Sequence, residues 1–151
     1  MVNRRKILYF VARSAWGGTS NYAYTLALHA ARLHFDVAVA GGGRGALASK
    51  LAPTDIPYFE IRAFERGIRT IGSILAFFEI ANLLFRFRPH ILHVAGPKAG
   101  IAGCAFFIYR VALFRFDSKS IYTAHGWTFS ESRRGWQQSF RKKLSRLICR
   151  F

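Results

Sequence analysis

The residues able to do chemistry in this sequence sit in short glycine-rich or histidine-bearing stretches. The first is Ala15-Trp16-Gly17-Gly18. Paired glycines let backbone approach a ligand closely, and a helix starting just beyond them aims its free N–H groups and positive dipole end at the same point. A diphosphate or a sugar acceptor fits such a turn. A tight strand-to-helix turn with no ligand uses the same residues, and spacing alone does not separate the two. The stretch is not a GxGxxG fingerprint. Gly41-Gly42-Gly43-Arg44-Gly45 is not a Walker phosphate loop either, because no Gly-Lys-Ser/Thr follows at the required spacing. It reads as a flexible turn, and ATPase chemistry has no support.

Histidine and lysine supply the remaining candidates. His90 and His93 fall in a strand pattern, where residues three apart point to opposite faces and cannot chelate together, so no metal site is expected. His29 and His34 lie on and just after a helical pattern, as surface or capping residues. His125 directly follows a buried-strand pattern, precedes Gly126, and is flanked by Thr123 and Trp127 in a loop that would face a cleft. It suits a substrate contact, and equally a hydrogen bond within its own loop. Lys98 opens a helical pattern, where a cation opposes the helix dipole. Anion binding accounts for it, as does a solvated lysine tolerating a small penalty. The 7 acidic residues form no paired-carboxylate signature, and no Ser/His/Asp triad can be assembled, which removes hydrolase readings.

These loops need a frame. With 151 residues, 52% hydrophobic and 16% aromatic, the chain suits one globular domain with a real core rather than a disordered segment. Five apolar runs read as buried parallel strands covered on both faces: Lys6 to Val11, Asp36 to Ala40, Pro57 to Ile61, His90 to Val94 and Ser120 to Ala124. Helical patterns alternate with them over Asn21 to Leu33, Ala46 to Leu51, Ile71 to Phe87 and Lys98 to Phe114. The first of these follows a Gly turn and the N-cap types Thr19 and Ser20. Such alternation predicts an α/β fold, a Rossmann-like doubly wound parallel sheet with helices on both faces and strand order 3-2-1-4-5. In that arrangement the carboxyl ends of the strands gather the Trp16 to Gly18, Gly41 to Gly45, Lys98 and His125 loops onto one rim.

Charge speaks about partners. A formal net charge of +16 implies anionic surfaces: nucleic acid, an acidic bilayer or phosphorylated substrates. Helix-turn-helix, RNP, zinc and KH patterns are absent, which disfavours the alternative of a basic nucleic-acid-binding module. Cys104 and Cys149 are too few and too far apart to indicate crosslinks, and a cytoplasmic location is expected. The apolar stretch Ile7 to Ala12 is too short for a signal peptide, and Ala99 to Tyr109 is well short of the ~20 residues that span a bilayer. The tail places Trp136, Phe140, Leu144, Leu147 and Phe151 on one helical face with Arg141, Lys142, Lys143, Arg146 and Arg150 elsewhere. Such a helix suits the surface of an anionic membrane, without catalysis if that is the whole function, or a further layer covering the sheet.

Taken in order, these motifs resemble the N-terminal domain of family 4 glycosyltransferases, retaining enzymes of GT-B architecture. The resemblance rests on Lys6 to Val11 with Ser14, Trp16-Gly17-Gly18, Phe35 to Ala40, Arg88-Pro89-His90-Ile91-Leu92-His93, Lys98-Ala99-Gly100 and Tyr122-Thr123-Ala124-His125-Gly126-Trp127. It implies a nucleotide-diphosphate sugar as donor, an acceptor hydroxyl often on a lipid-linked saccharide, and no cofactor or obligatory metal. By position it implies that His125 contacts the transferring sugar as the catalytic residue. Gly17, Gly18, Lys98, Gly126 and Trp127 then bind substrate. Ala95-Gly96-Pro97 stands where such proteins often carry a second histidine and serines. The expected domain is 1–151, a single acceptor-side unit at the inner face of the membrane. The C-terminal donor-binding domain is expected to be absent, and the half inactive by itself.

Overall fold

The computed structural model describes residues 4–64, 69–96 and 99–124. Along the chain run β1 (Lys6–Val11), α1 (Gly18–Arg32), β2 (Asp36–Gly41), α2 (Ala46–Leu51), β3 (Tyr58–Glu60), a 3-10 turn (Arg62–Phe64), α3 (Arg69–Phe87), β4 (Ile91–Ala95), α4 (Ala99–Ala112) and β5 (Lys119–Thr123). The five strands form one sheet in the order β3-β2-β1-β4-β5, with every pairing parallel. This is the predicted α/β doubly wound arrangement.

Strand alternation divides the core in two. Leu8 and Phe10 of β1, with Ala38, Ala40, Leu92 and Val94, face a layer built from α3 and α4. Ile7, Tyr9 and Val11, with Val37 and Val39, face α1 and α2. A strand sandwiched in this way must be apolar at successive positions, which explains the unbroken run in β1. Leu8, Phe10, Phe106 and Tyr109 are almost completely buried. Burying an aliphatic or phenylalanine side chain contributes about 1.5–3 kcal/mol, so a few such residues outweigh any single surface contact.

Helix ends follow a common rule with an unusual residue choice. α1, α3 and α4 are followed by His34, Arg88 and Phe114 with φ of 64°, 55° and 50°. After α1, the N–H groups of His34 and Phe35 donate to Ala31 O and Ala30 O at 3.0 and 3.1 Å, closing the helix in a left-handed turn usually given to glycine. His34 is therefore a helix-ending residue, within the capping role expected of it.

Two expectations change. α1 begins at Gly18, three residues before the predicted Asn21, because Gly17 is the extended N-cap and Thr19 and Ser20 lie inside the helix. The Ser20 hydroxyl turns back to the preceding loop instead of capping. β5 was expected to be covered on both faces, yet Ile121 and Tyr122 are 46% and 45% exposed and its first four residues are all open to solvent. The remaining strands match their predicted positions, although β3 is only three residues long.

Candidate functional site

The site is assembled at the carboxyl ends of β1, β2, β4 and β5. Ser14, 1% exposed, joins the first two. Its N–H donates to Gly42 O at 2.9 Å, its carbonyl accepts from Leu47 N–H at 2.8 Å, and its Oγ accepts from Ala48 N–H at 3.2 Å. α2 has Gly45 at its N-cap and no side-chain cap of its own, so a serine from another loop satisfies its first turn. Ser20 fixes the other end of the same loop: its Oγ donates to Ala15 O at 2.6 Å.

Between these anchors lie Trp16, Gly17 and Gly18. Trp16 meets Tyr24 edge-on at 5.7 Å, and Lys50 Nζ stands 4.6 Å from the centre of its ring, so the indole bridges α1 and α2. Gly17 and Gly18 are exposed, and among the described residues a Cβ at either would meet no atom within 4 Å. They open α1, a 15-residue helix with no side-chain cap and no acidic residue in its first turn. Helix geometry leaves the N–H groups at that end without intrahelical acceptors, and the dipole makes the end positive.

The loop after β2 differs from its expected character. Gly41 to Gly45 is a turn without phosphate-loop spacing, as read from sequence, but it is packed rather than flexible. A Cβ on Gly42 would sit 2.7 Å from Ala12 O and 2.9 Å from Phe64 Cβ, and one on Gly45 2.8 Å from Ser14 O. Tyr58 OH donates to Gly43 O at 2.6 Å, and Arg44 Nε lies 3.0 Å from Glu60 Oε2.

From the other side, β4 leads into Gly96, whose φ of 99° suits glycine and whose missing Cβ would lie 3.8 Å from Thr19 Cγ2 in the first turn of α1. Ala95 pairs with Thr123, which brings the end of β5 to the same place. A link that sequence reasoning missed ties these elements together. His93, 9% exposed, places its Nε2 2.8 Å from Thr123 Oγ1 and its ring 5.3 Å from Tyr9 and 6.0 Å from Tyr22 of α1. Burial, and then the neighbouring Tyr22, push the Tyr9 phenol above its ordinary value, so the ring stays neutral. His93 is thus a strut between sheet and helix. The only sequence signal was a polar residue inside an otherwise apolar strand.

His90 has a separate job at the opposite, amino end of the strands, where its Nδ1 accepts the Lys6 backbone N–H at 3.0 Å. Burial, followed by the charge of Arg115, lowers its pKa below the ordinary histidine value. Of the predicted site residues, Gly17 and Gly18 are placed at the rim; Lys98, His125, Gly126 and Trp127 lie outside the described residues, as does the basic tail.

Known proteins share this frame. MurG from Acinetobacter baumannii has a TM-score of 0.64 at 16% identity, covering 94% of this chain and 39% of its own. The glycosyltransferase SnogD from Streptomyces nogalater has a TM-score of 0.57 at 14% identity, covering 98% and 42% respectively. At such identities the likeness is one of fold, and the chain spans about two fifths of the length of either structure. Comparison with curated protein sequences finds no match. The family model described as Glycosyltransferase Family 4 matches residues 16–151, from the Trp16 turn onward. With that match over most of its length, and the parallel sheet of a GT-B N-terminal domain beneath it, the chain belongs to glycosyltransferase family 4.

Proposed function

We propose that this domain is the acceptor-side half of a retaining glycosyltransferase that moves a sugar from a nucleotide-diphosphate donor to a hydroxyl of a lipid-linked or cell-surface saccharide. The observation that carries this reading is the pair Gly17 and Gly18, exposed at the uncapped start of α1 with, among the described residues, no neighbouring atom within 4 Å of where their side chains would begin. Backbone that is open, positively poised and free of internal packing demands suits a diphosphate or a sugar hydroxyl.

The other roles follow from family position. By that position Lys98 would serve the acceptor side, His125 would contact the transferring sugar, and Gly126 and Trp127 would bind substrate. Leaving diphosphate gathers negative charge as the glycosidic bond breaks, and fixed helix N–H groups and cations stabilise that charge without a metal. A second domain would supply most of the grip on the nucleotide, so this chain alone transfers no sugar. It would work at the cytoplasmic face of the membrane, where lipid-linked acceptors are reached.

Amide shifts of the isotopically labelled chain test this on titration with a nucleotide-diphosphate sugar. Selective shifts at Gly17, Gly18 and Thr19 are expected, weakened at least tenfold in Gly17→Val. Shifts confined to other surfaces, or none at all, would refute the assignment. Turnover by the purified 151-residue chain would overturn the claim that it needs a second domain. A gel shift with mixed-sequence DNA and RNA checks the competing nucleic-acid reading, for which steep log-linear salt dependence is the signature.

A further inference from the structure

The helices on the two faces of the sheet treat solvent differently. α1 buries Ala23, Ala27 and Ala30 and turns Asn21, Thr25, His29 and Arg32 outward, the ordinary pattern for a helix in water. α3 and α4 bury Ile80, Leu84, Phe106 and Tyr109 against the sheet, yet their outward sides are apolar as well. Ile74, Phe78 and Phe85 are 55%, 63% and 37% exposed on α3, and Phe107, Ile108 and Val111 are 51%, 48% and 45% exposed on α4. Spacings of three, four and seven residues align each set into one stripe. The two helices share one core layer, with Phe85 edge-on to Tyr109 at 5.8 Å, so the stripes belong to one face. The turn after α4 extends it with Phe114 and Phe116, 81% and 63% exposed.

Among the described residues, exposed polar residues on α3 are confined to a narrow stripe with Asn82 and Arg86, and a helix apolar on both its inner and outer sides is one with apolar surroundings on both. Charge identifies what the outer side meets. Arg86 at the end of α3, Arg88 just after it and Lys119 opening β5 are exposed cations at one end of this helix pair, with the half-buried Arg110 and Arg115 at and just past the end of α4. The carboxylate of α3, Glu79, is engaged by the Ala63 N–H at 3.2 Å, which leaves Asp117 as the acidic residue among those cations. A second copy of the chain would bring the same cations and a further +16, so self-association through this face works against electrostatics. Among the described residues no helix is long and apolar enough to cross a membrane.

We propose that the outer face of α3 and α4 rests in the interfacial layer of an anionic lipid bilayer, with the phenylalanines at the acyl boundary and the arginines among the headgroups. This deepens the membrane-surface part of the function proposed above and rests on that part alone. Apolar burial supplies the affinity, and each basic residue near the surface adds about 1 kcal/mol with anionic lipid.

Co-pelleting of the full chain with vesicles tests the proposal. Binding is expected to phosphatidylcholine mixed with phosphatidylglycerol, and not to phosphatidylcholine alone. The exposed triple variant Phe78→Ser, Phe107→Ser, Phe114→Ser should bind at least tenfold more weakly, with an unchanged circular dichroism spectrum as proof of fold. Should that variant unfold, Phe78→Glu alone carries the same expectation. Three results would overturn the proposal. They are no binding to the mixed vesicles, full binding by the substituted chain with loss only in Trp136→Ser, Phe140→Ser, Leu144→Ser, and a wild-type dimer that the α3 and α4 substitutions dissolve. Loss of the diphosphate shifts with vesicle binding intact would count against the sugar-transfer reading and leave this surface standing.

Discussion

Two glycine-bearing turns stand on the same rim and owe their glycines to different causes. In the turn after β2, Cβ atoms at Gly42 and Gly45 would approach backbone oxygens of the β1 loop to 2.7 and 2.8 Å. The protein's own packing fills that space. In the turn after β1, Cβ atoms at Gly17 and Gly18 would meet nothing within 4 Å, and Gly17 has the extended φ of −176° that any residue adopts. Nothing inside the described chain asks for glycine there. The contrast separates a turn whose glycines are held by packing from one whose glycines stand open, by a physical criterion that motif spacing could not supply.

The largest expected effect is on the packed side. Gly42→Ala drives a methyl into the Ala12 carbonyl and Phe64, and Gly45→Ala into the Ser14 carbonyl. Backbone cannot rotate away as a long side chain can, so each substitution should cost about 1–3 kcal/mol, read as a lower urea midpoint with unchanged slope. Wild-type stability in both variants would show that this loop gives way easily and would break the comparison. Ser14→Ala comes next. It leaves the Ala48 N–H without its 3.2 Å acceptor at the start of α2, a loss of about 1 kcal/mol by the usual worth of an N-cap. Ser14→Thr, which keeps the oxygen, separates the lost acceptor from disturbed packing if it recovers part of the loss.

The sheet was legible because its evidence is local: β1, β2 and β4 are apolar runs bounded by turn residues, and alternation with helices fixes a parallel order. The site was less so. Ser14 caps a helix 34 positions away, and His93 meets Thr123 across 30, neither of which leaves a trace in any short window. Thr19 and Ser20 have the chemistry of N-caps, and only the fold reveals that the Ser20 hydroxyl goes to Ala15 O. The Gly41 to Gly45 run looked flexible because glycine in sequence signals freedom and close approach equally. The lysine, histidine and tryptophan of the expected site, Lys98, His125 and Trp127, lie outside the described residues.

A third class of position sharpens the comparison from the opposite direction. Arg88 and Phe114 hold left-handed φ values of 55° and 50° without being glycine. Removing the side chain relieves a steric cost, partly offset by the greater freedom glycine has when unfolded. Arg88→Gly should therefore stabilise the domain by up to about 1 kcal/mol, measured as a raised midpoint in urea. A loss would mean that the arginine's aliphatic stem packs more than its backbone strains.

The smallest expected change in stability is the most informative. Gly17→Ala places a methyl in open space on extended backbone, and Gly18→Ala puts a better helix former in the first turn of α1. Both should stay within about 0.5 kcal/mol of wild type in urea. Their cost should appear instead in the diphosphate-induced amide shifts, because the methyl occupies the volume left for the ligand. A stability loss comparable to that of Gly42→Ala would mean that the turn after β1 is scaffold too. The glycine pair would then say nothing about binding, however well folded the variants. Stability kept with titration lost assigns those glycines to the ligand, because the same methyl group that harms the neighbouring turn leaves the fold of this one untouched.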